Sequence, residues 1–349
     1  MGVYQKQREL NYYKPIIKWL YLGIIMVFIM VMIGGITRLT DSGLSMVDWK
    51  PIMGTLPPLN QTEWIDAFDQ YKNSPQFKDH NYHFELSDFK QIYFWEYVHR
   101  VFGRLIGLVF IIPFLWFLIR KKLSKPLLWR LILILTLGSA QGFLGWFMVK
   151  SGLIDIPEVS HFRLAAHLIT AFVTMTVIYW VTLELKYQVP KTILNLKSFK
   201  RWNFALLAMV LVQILYGAFV AGKDAGLMHN TWPLMNGHFV HPAVMAIDSF
   251  WYSIGHNKST LQFIHRSLAI VIFVFVISLK IEALKKSLTP WLQNSYTLIA
   301  VVVLIQFLLG IFTLIYKVPI SIAVLHQLGA LVLLLGTVRT IYFTKEKEL

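Results

Sequence analysis

Runs of about 20 apolar residues recur eight times in this chain, at roughly 19–36, 92–119, 131–149, 164–183, 202–221, 261–279, 292–316 and 320–341. At ~1.5 Å of rise per helical residue, each is long enough to cross a hydrocarbon layer ~30 Å thick. The expected fold class is therefore all-α, a polytopic membrane protein with eight transmembrane helices. Of 349 residues, 56% are hydrophobic and only 15% charged, and a soluble domain would not bury such unbroken runs.

The formal net charge of +15 raises the question of nucleic acid, and its distribution answers it. With the N-terminus inside, the inner segments 1–18, 120–130, 184–201, 280–291 and 339–349 hold 20 of the 33 lysines and arginines. The inner run "RKKLSKPLLWR" is short and basic, as the positive-inside rule requires. The first outer loop, 37–91, carries eight acids against five bases. The predicted orientation has both termini inside, with anionic lipid as the partner of the basic loops and no nucleic acid. There is no cysteine, which excludes disulfides and thiolate metal sites within the chain. The first apolar run lacks a small-residue cleavage site and is read as a retained helix.

The chain also repeats itself. In "TDSGLSMVDWKPIMG" (40–54) and "KDAGLMHNTWPLMNG" (223–237), Asp41, Gly43, Leu44 and Trp49 match Asp224, Gly226, Leu227 and Trp232 at one offset. Gln141 and Gly145 match Gln306 and Gly310, and His99–Arg100 matches His265–Arg266. Two four-helix halves are expected, 1–190 and 191–349. Each has an even number of crossings, so the repeats run parallel rather than inverted. The small residues Gly34, Gly103, Gly107, Gly138, Gly145 and Gly310 suit close helix approach. The long outer loops 37–91 and 222–260 are read as covers.

Of 11 histidines, four fall inside the apolar runs: His99, His167, His265 and His326. All four runs pass from outside to inside, and each histidine is expected within the first two turns. One pair then lies in each half, at a shared depth near the outer face. A lone histidine of this kind is more simply an interhelical hydrogen-bonding residue. Four at one level, two per half, suit two bis-imidazole haem sites, whereas zinc or copper asks for three or four clustered ligands. Arg100 and Arg266 follow their histidines, with Arg104 one turn deeper, and could meet anionic propionates; snorkelling is the alternative. Glu96 is the sole acid in the eight runs and shares a helical face with His99 and Arg100. Its counterpart is Gln262, so the first half is read as reactive and the second as electron-carrying or structural. A purely structural Glu96–Arg100 pair is the competing reading. His161 is left between lining the pocket, serving as an alternative ligand and lying in a loop, and His80, His83, His229, His238, His241 and His256 are assigned to loops.

The motifs "GGITRLTDSGLSMVDWKPIMGTLPP", "EYVHRVFGRLIG", "SHFRLAAHL", "QFIHR" and the "LHQ" of the last run resemble, in order and over nearly the whole chain, the haem A synthases. That resemblance implies oxidation of the C8 methyl of haem O to a formyl group, giving haem A for cytochrome c oxidase. It implies haem b as cofactor, its iron bound by His265 and His326, with Arg100 and Arg266 at cofactor-binding positions. Substrate haem would sit between His99 and His167, with Glu96 as the functional carboxylate. Expected partners are haem O, a haem O synthase, an electron-transfer partner and a second copy of the chain in a homo-oligomer. The expected location is the bacterial inner membrane, with the haem sites toward the periplasmic side. Many relatives carry a cysteine pair in an outer loop; this chain has none and is similar to the cysteine-free type. The rival reading is a dihaem cytochrome b-type electron carrier with no chemistry on haem, which leaves the Glu96/Gln262 difference unexplained.

Overall fold

The computed structural model describes residues 3–47, 56–152, 159–187, 196–246 and 249–344. Its helices run in the order α1 (Val3–Leu39), α2 (Gln61–Lys72), α3 (Pro75–Asp79), α4 (Leu86–Ile119), α5 (Lys125–Gly152), α6 (His161–Lys186), α7 (Lys197–Gly222), α8 (Phe250–His256), α9 (Lys258–Leu284), α10 (Pro290–Ile315) and α11 (Ile320–Phe343). Among the described residues there is no strand, only an isolated bridge between Met235 and His238. Eight of the helices, α1, α4 to α7 and α9 to α11, are long and apolar enough to cross a membrane. The all-α reading and its eight spans hold.

The helices outrun the apolar stretches that reveal them. At the head of α4 the Asp88 carboxylate accepts from the Glu85 backbone N–H at 3.0 Å, a polar cap that starts the helix at Leu86. His99 therefore sits more than three turns into its helix instead of within two. His167, His265 and His326 do lie within about two turns of the starts at His161, Lys258 and Ile320. The extended helices also take in Asp88, Glu184 and Glu282, so Glu96 is not the sole helical acid. It is the deeply buried one, 3% exposed.

The chain separates into two compact units, Ile25–Ala171 and Phe172–Leu349 with Met1–Ile24, so that α1 and α6 are each divided between them. In the larger unit, α7 packs on α9, α9 on α10, α10 on α11 and α11 back on α7. This closes a four-helix ring with α9 and α11 at opposite corners. Its core holds Leu206 and Val210 of α7, Leu261 and Val276 of α9, Tyr296 and Ile299 of α10, and Leu331 and Leu334 of α11. Away from the histidines the ring is tied by Asn203, whose Nδ2 donates to the Tyr296 hydroxyl at 3.0 Å.

In the other unit the loop before α4 folds into a small aromatic cap. Phe68 and Tyr71 of α2 stack on Phe89 of α4 with ring centres 5.2 and 5.1 Å apart, and Met46, Ile92 and Tyr93 join the same buried cluster. The Tyr71 hydroxyl donates to Gln76 Oε1 at 3.1 Å and accepts from Asn81 Nδ2 at 2.8 Å, and burial pushes its pKa up to about 12. Gln76 Nε2 donates to the Asp41 carbonyl at 2.8 Å, tying the cap to the end of α1.

Asp41 and Asp224, paired by the sequence repeat, both adopt the left-handed conformation, at φ 50° and 51°. Each follows a long helix and donates its N–H to the carbonyl three residues back. The two repeat segments thus share a local turn. Trp49, the partner of Trp232 in that repeat, lies outside the described residues.

Candidate functional site

Each of the four helical histidines leans on a glycine of a neighbouring helix. A Cβ added to Gly34 of α1 would meet His99 Cε1 at 3.1 Å, and one on Gly145 of α5 would meet His167 Cε1 at 3.3 Å. The same relation joins Gly217 of α7 to His265 at 3.1 Å and Gly310 of α10 to His326 at 3.0 Å. A larger side chain at any of these positions would push the ring away, so the glycines set where the imidazoles stand. In all four rings Nδ1 is buried with no hydrogen-bond partner. Four buried polar atoms orphaned in the same way call for a common explanation.

The best-defined pair is His265 and His326. They reach toward each other from the opposite corners of the ring, with ring centres 6.3 Å apart and planes at 83°. Two metal–nitrogen bonds of about 2 Å, plus roughly 1 Å from nitrogen to ring centre on either side, place trans imidazoles roughly 6 Å apart. An iron held from both faces of a haem fits that interval. Among the described residues no three His, Asp or Glu side chains converge on a possible metal. Two facing imidazoles are a donor set that would suit haem iron. His99 and His167 both lie in the unit Ile25–Ala171.

Glu96 lies one turn from His99 and is bonded through both carboxylate oxygens. Its Oε2 accepts from the Ser45 hydroxyl at 2.6 Å and from the Met46 backbone N–H at 2.8 Å, and its Oε1 accepts from Arg100 at 2.5 Å. Arg100 also donates to the Met46 carbonyl at 3.1 Å. A carboxylate has about four acceptor positions, so three donors leave room for about one more, such as water or a substrate proton.

The second pair has the matching construction with the charge removed. Gln262 donates to the carbonyl of His229, the residue that the repeat aligns with Met46, at 3.4 Å. Where the carboxylate takes a backbone N–H, the amide gives to a backbone carbonyl. Arg266 donates to the carbonyls of Thr231, Pro233 and Leu234 at 2.9 to 3.3 Å and lies over the Trp232 ring, holding the 231–234 loop down. His229 is more than a loop residue. It is buried, bonded to Ser259 at 3.0 Å and packed against His241 with ring centres 4.2 Å apart and planes at 38°. Burial, then His241 and Arg266, hold its pKa below the usual imidazole range, so it is neutral at pH 7. His256 is the last residue of α8, and His161 is a buried residue at the start of α6, packed against Phe162.

Ser45 and Met46 stand in the repeated segment 40–54, some 50 positions from Glu96, and nothing in that motif marks them as partners of a carboxylate on α4. The glycine supports carry a signal. Gln-x-x-x-Gly occurs at Gln141–Gly145, Gln213–Gly217 and Gln306–Gly310, each on the membrane-length helix that precedes one bearing a histidine.

A family model described as cytochrome oxidase assembly protein, COX15-CtaA, matches residues 17–338. The chain is 47% identical over 334 residues to a Flavobacterium psychrophilum protein named heme A synthase, covering 94% of this chain and 98% of that one. It is 47% identical over 335 residues to the protein of the same name from Flavobacterium johnsoniae, covering 94% and 97%. A Nitrosospira multiformis protein, again named heme A synthase, is 43% identical over 322 residues, covering 92% and 90%.

Proposed function

This chain belongs to the COX15-CtaA family of cytochrome oxidase assembly proteins, and we infer that it is a haem A synthase. Its substrate is haem O, whose C8 methyl becomes a formyl group with oxygen taken from water. The observation that carries the reading is the difference between two like-built histidine pockets. One has a buried carboxylate beside its pair and the other an amide in the same place.

His265 and His326 would hold haem b, which would supply an iron suited to passing electrons. His99 and His167 orient the substrate haem. Glu96, with about one acceptor position free, takes a proton from the reacting carbon or the incoming water and stabilises positive charge developing there. Arg100 keeps Glu96 aimed and ties it to the Met46 loop, and Arg100 and Arg266 would meet the haem propionates. The aromatic cap on α4 keeps bulk water from that end of the unit. The two pockets belong to a first half, residues 1–190, and a second, residues 191–349. A haem O synthase and an electron-transfer partner would deliver substrate and remove electrons. The test is haem chromatography on cells that make haem O but lack this activity, with and without the chain. Haem A should appear only with it; unchanged haem O in the presence of folded protein would refute the reading.

The basic inner segments place both termini in the cytoplasm of a bacterial inner membrane, with the paired histidines toward the periplasm. Reporter fusions at residues 125 and 190 are expected to read as cytoplasmic, and fusions at 70 and 240 as periplasmic. A cytoplasmic signal at 70 or 240 would overturn this orientation.

A further inference from the structure

Three of the four histidine helices are clamped by a glutamine. Gln141 Nε2 donates to the His167 carbonyl at 2.9 Å, Gln213 Nε2 to the His265 carbonyl at 3.0 Å, and Gln306 Nε2 to the His326 carbonyl at 2.8 Å. Each clamp comes from the helix that also bears the supporting glycine, one turn before it. Gly329, three residues beyond His326, is needed for one of them, because a Cβ there would collide with Gln306 Oε1. The fourth hairpin breaks the rule. Four residues before Gly34 stands Met30, which the offset joining Asp41 to Asp224 aligns with Gln213. A thioether has no proton to donate. The Met30 methyl instead packs toward Gly103, one turn past His99, 3.4 Å from where a Cβ would lie.

We propose that Met30 is a positioning residue that leaves the His99 carbonyl without the glutamine clamp of the other three, making His99 the exchangeable ligand of the substrate site. This rests on the reading that His99 and His167 hold the substrate haem. A cofactor haem gains from two fixed ligands, and both of its histidines are clamped. A substrate haem must enter and its product must leave, and His167 alone among that pair is clamped. The ring of His99 keeps its glycine support at Gly34, so it can reach the iron, but its carbonyl has no glutamine on it. The nearest side-chain bond from α1 is that of Thr37 to the Trp95 carbonyl, one turn earlier, at a long 3.4 Å and shared with the Ile33 carbonyl at 2.9 Å. Interhelical hydrogen bonds in membrane proteins shift such equilibria by about threefold to tenfold.

The experiment measures haem release from purified, haem-loaded protein to excess apomyoglobin, with haem O as the loaded substrate. Met30→Gln is expected to slow release of haem O about threefold to tenfold with haem b content unchanged. Met30→Leu, equally apolar and without a donor, should release at the wild-type rate, which separates the missing hydrogen bond from the shape of the side chain. The reciprocal Gln213→Met should make haem b, firmly held in the parent, leave faster by a similar factor. Wild-type haem O release from folded Met30→Gln would overturn the proposal, as would equal slowing in Met30→Leu. His167→Ala separates the two levels of inference. If it leaves haem O binding intact, the substrate-site reading fails; if it abolishes binding while Met30→Gln changes nothing, only the role of Met30 fails.

Discussion

Glu96→Gln is expected to lower haem A formation per mole of haem b-containing protein by roughly two or more orders of magnitude, with the protein inserted and haem b retained. The matching pocket already holds Gln262, so an amide is acceptable beside a His-Arg pair. The substitution is not silent for the surroundings. An amide can keep an oxygen toward the Ser45 hydroxyl and the Met46 N–H, but its NH₂ then faces Arg100, which loses its charged partner. Arg100 keeps the Met46 carbonyl, at 3.1 Å, so the guanidinium is not stranded. Breaking a buried pair by removing one member costs about 3–5 kcal/mol when the other is left bare, and the remaining bond moderates that here. The two roles for Glu96 therefore separate by measurement. A proton acceptor predicts normal yield of haem b-containing protein, a collapse in turnover and accumulation of haem O or a partly oxidised haem. A structural strut between α4 and the Met46 loop predicts reduced yield with near-normal turnover per folded molecule, and that outcome would remove Glu96 from the chemistry. Ser45→Ala is a milder probe, deleting one donor to Oε2 while leaving the charge.

His265→Ala or His326→Ala is expected to abolish the bis-imidazole haem b spectrum of the purified protein. The two rings stand at opposite corners of the α7–α9–α10–α11 ring, 6.3 Å apart, so neither can substitute for the other. With one ring deleted, no third His, Asp or Glu among the described residues is grouped with the survivor. The iron would keep one axial ligand at most, and a low-spin signal needs both. Retention of a full low-spin spectrum in either variant would move haem b out of this pocket.

Much of this was legible before any coordinates. The eight spans follow from apolar runs that leave a helix in lipid no other fold, and the four histidines stand out because polar groups in such runs are costly. Tertiary detail was not. The head of α4 is polar, so hydropathy ends the helix at residue 92 and only the Glu85–Asp88 cap carries it to Leu86. That shift moved His99 deeper into its helix than the apolar run implied. The Ser45 and Met46 bonds to Glu96 join chain segments 50 or more positions apart, and nothing local encodes them. The Gln-x-x-x-Gly spacing was written in the sequence, but its meaning required seeing each glycine against a histidine and each glutamine on that histidine's carbonyl. The exception at Met30 gains its sense only from the three clamps around it.

The central claim is that one chain holds two haems in like-built pockets and oxidises only one of them. Its most direct test is reversed-phase chromatography of the haem extracted from wild-type protein purified from cells supplied with haem O. The account predicts haem b together with haem O and its oxidised products, with haem O and product lost in His167→Ala and haem b lost in His326→Ala. Haem b alone, with haem O neither bound nor converted, would contradict it and leave a cytochrome that carries electrons without acting on haem.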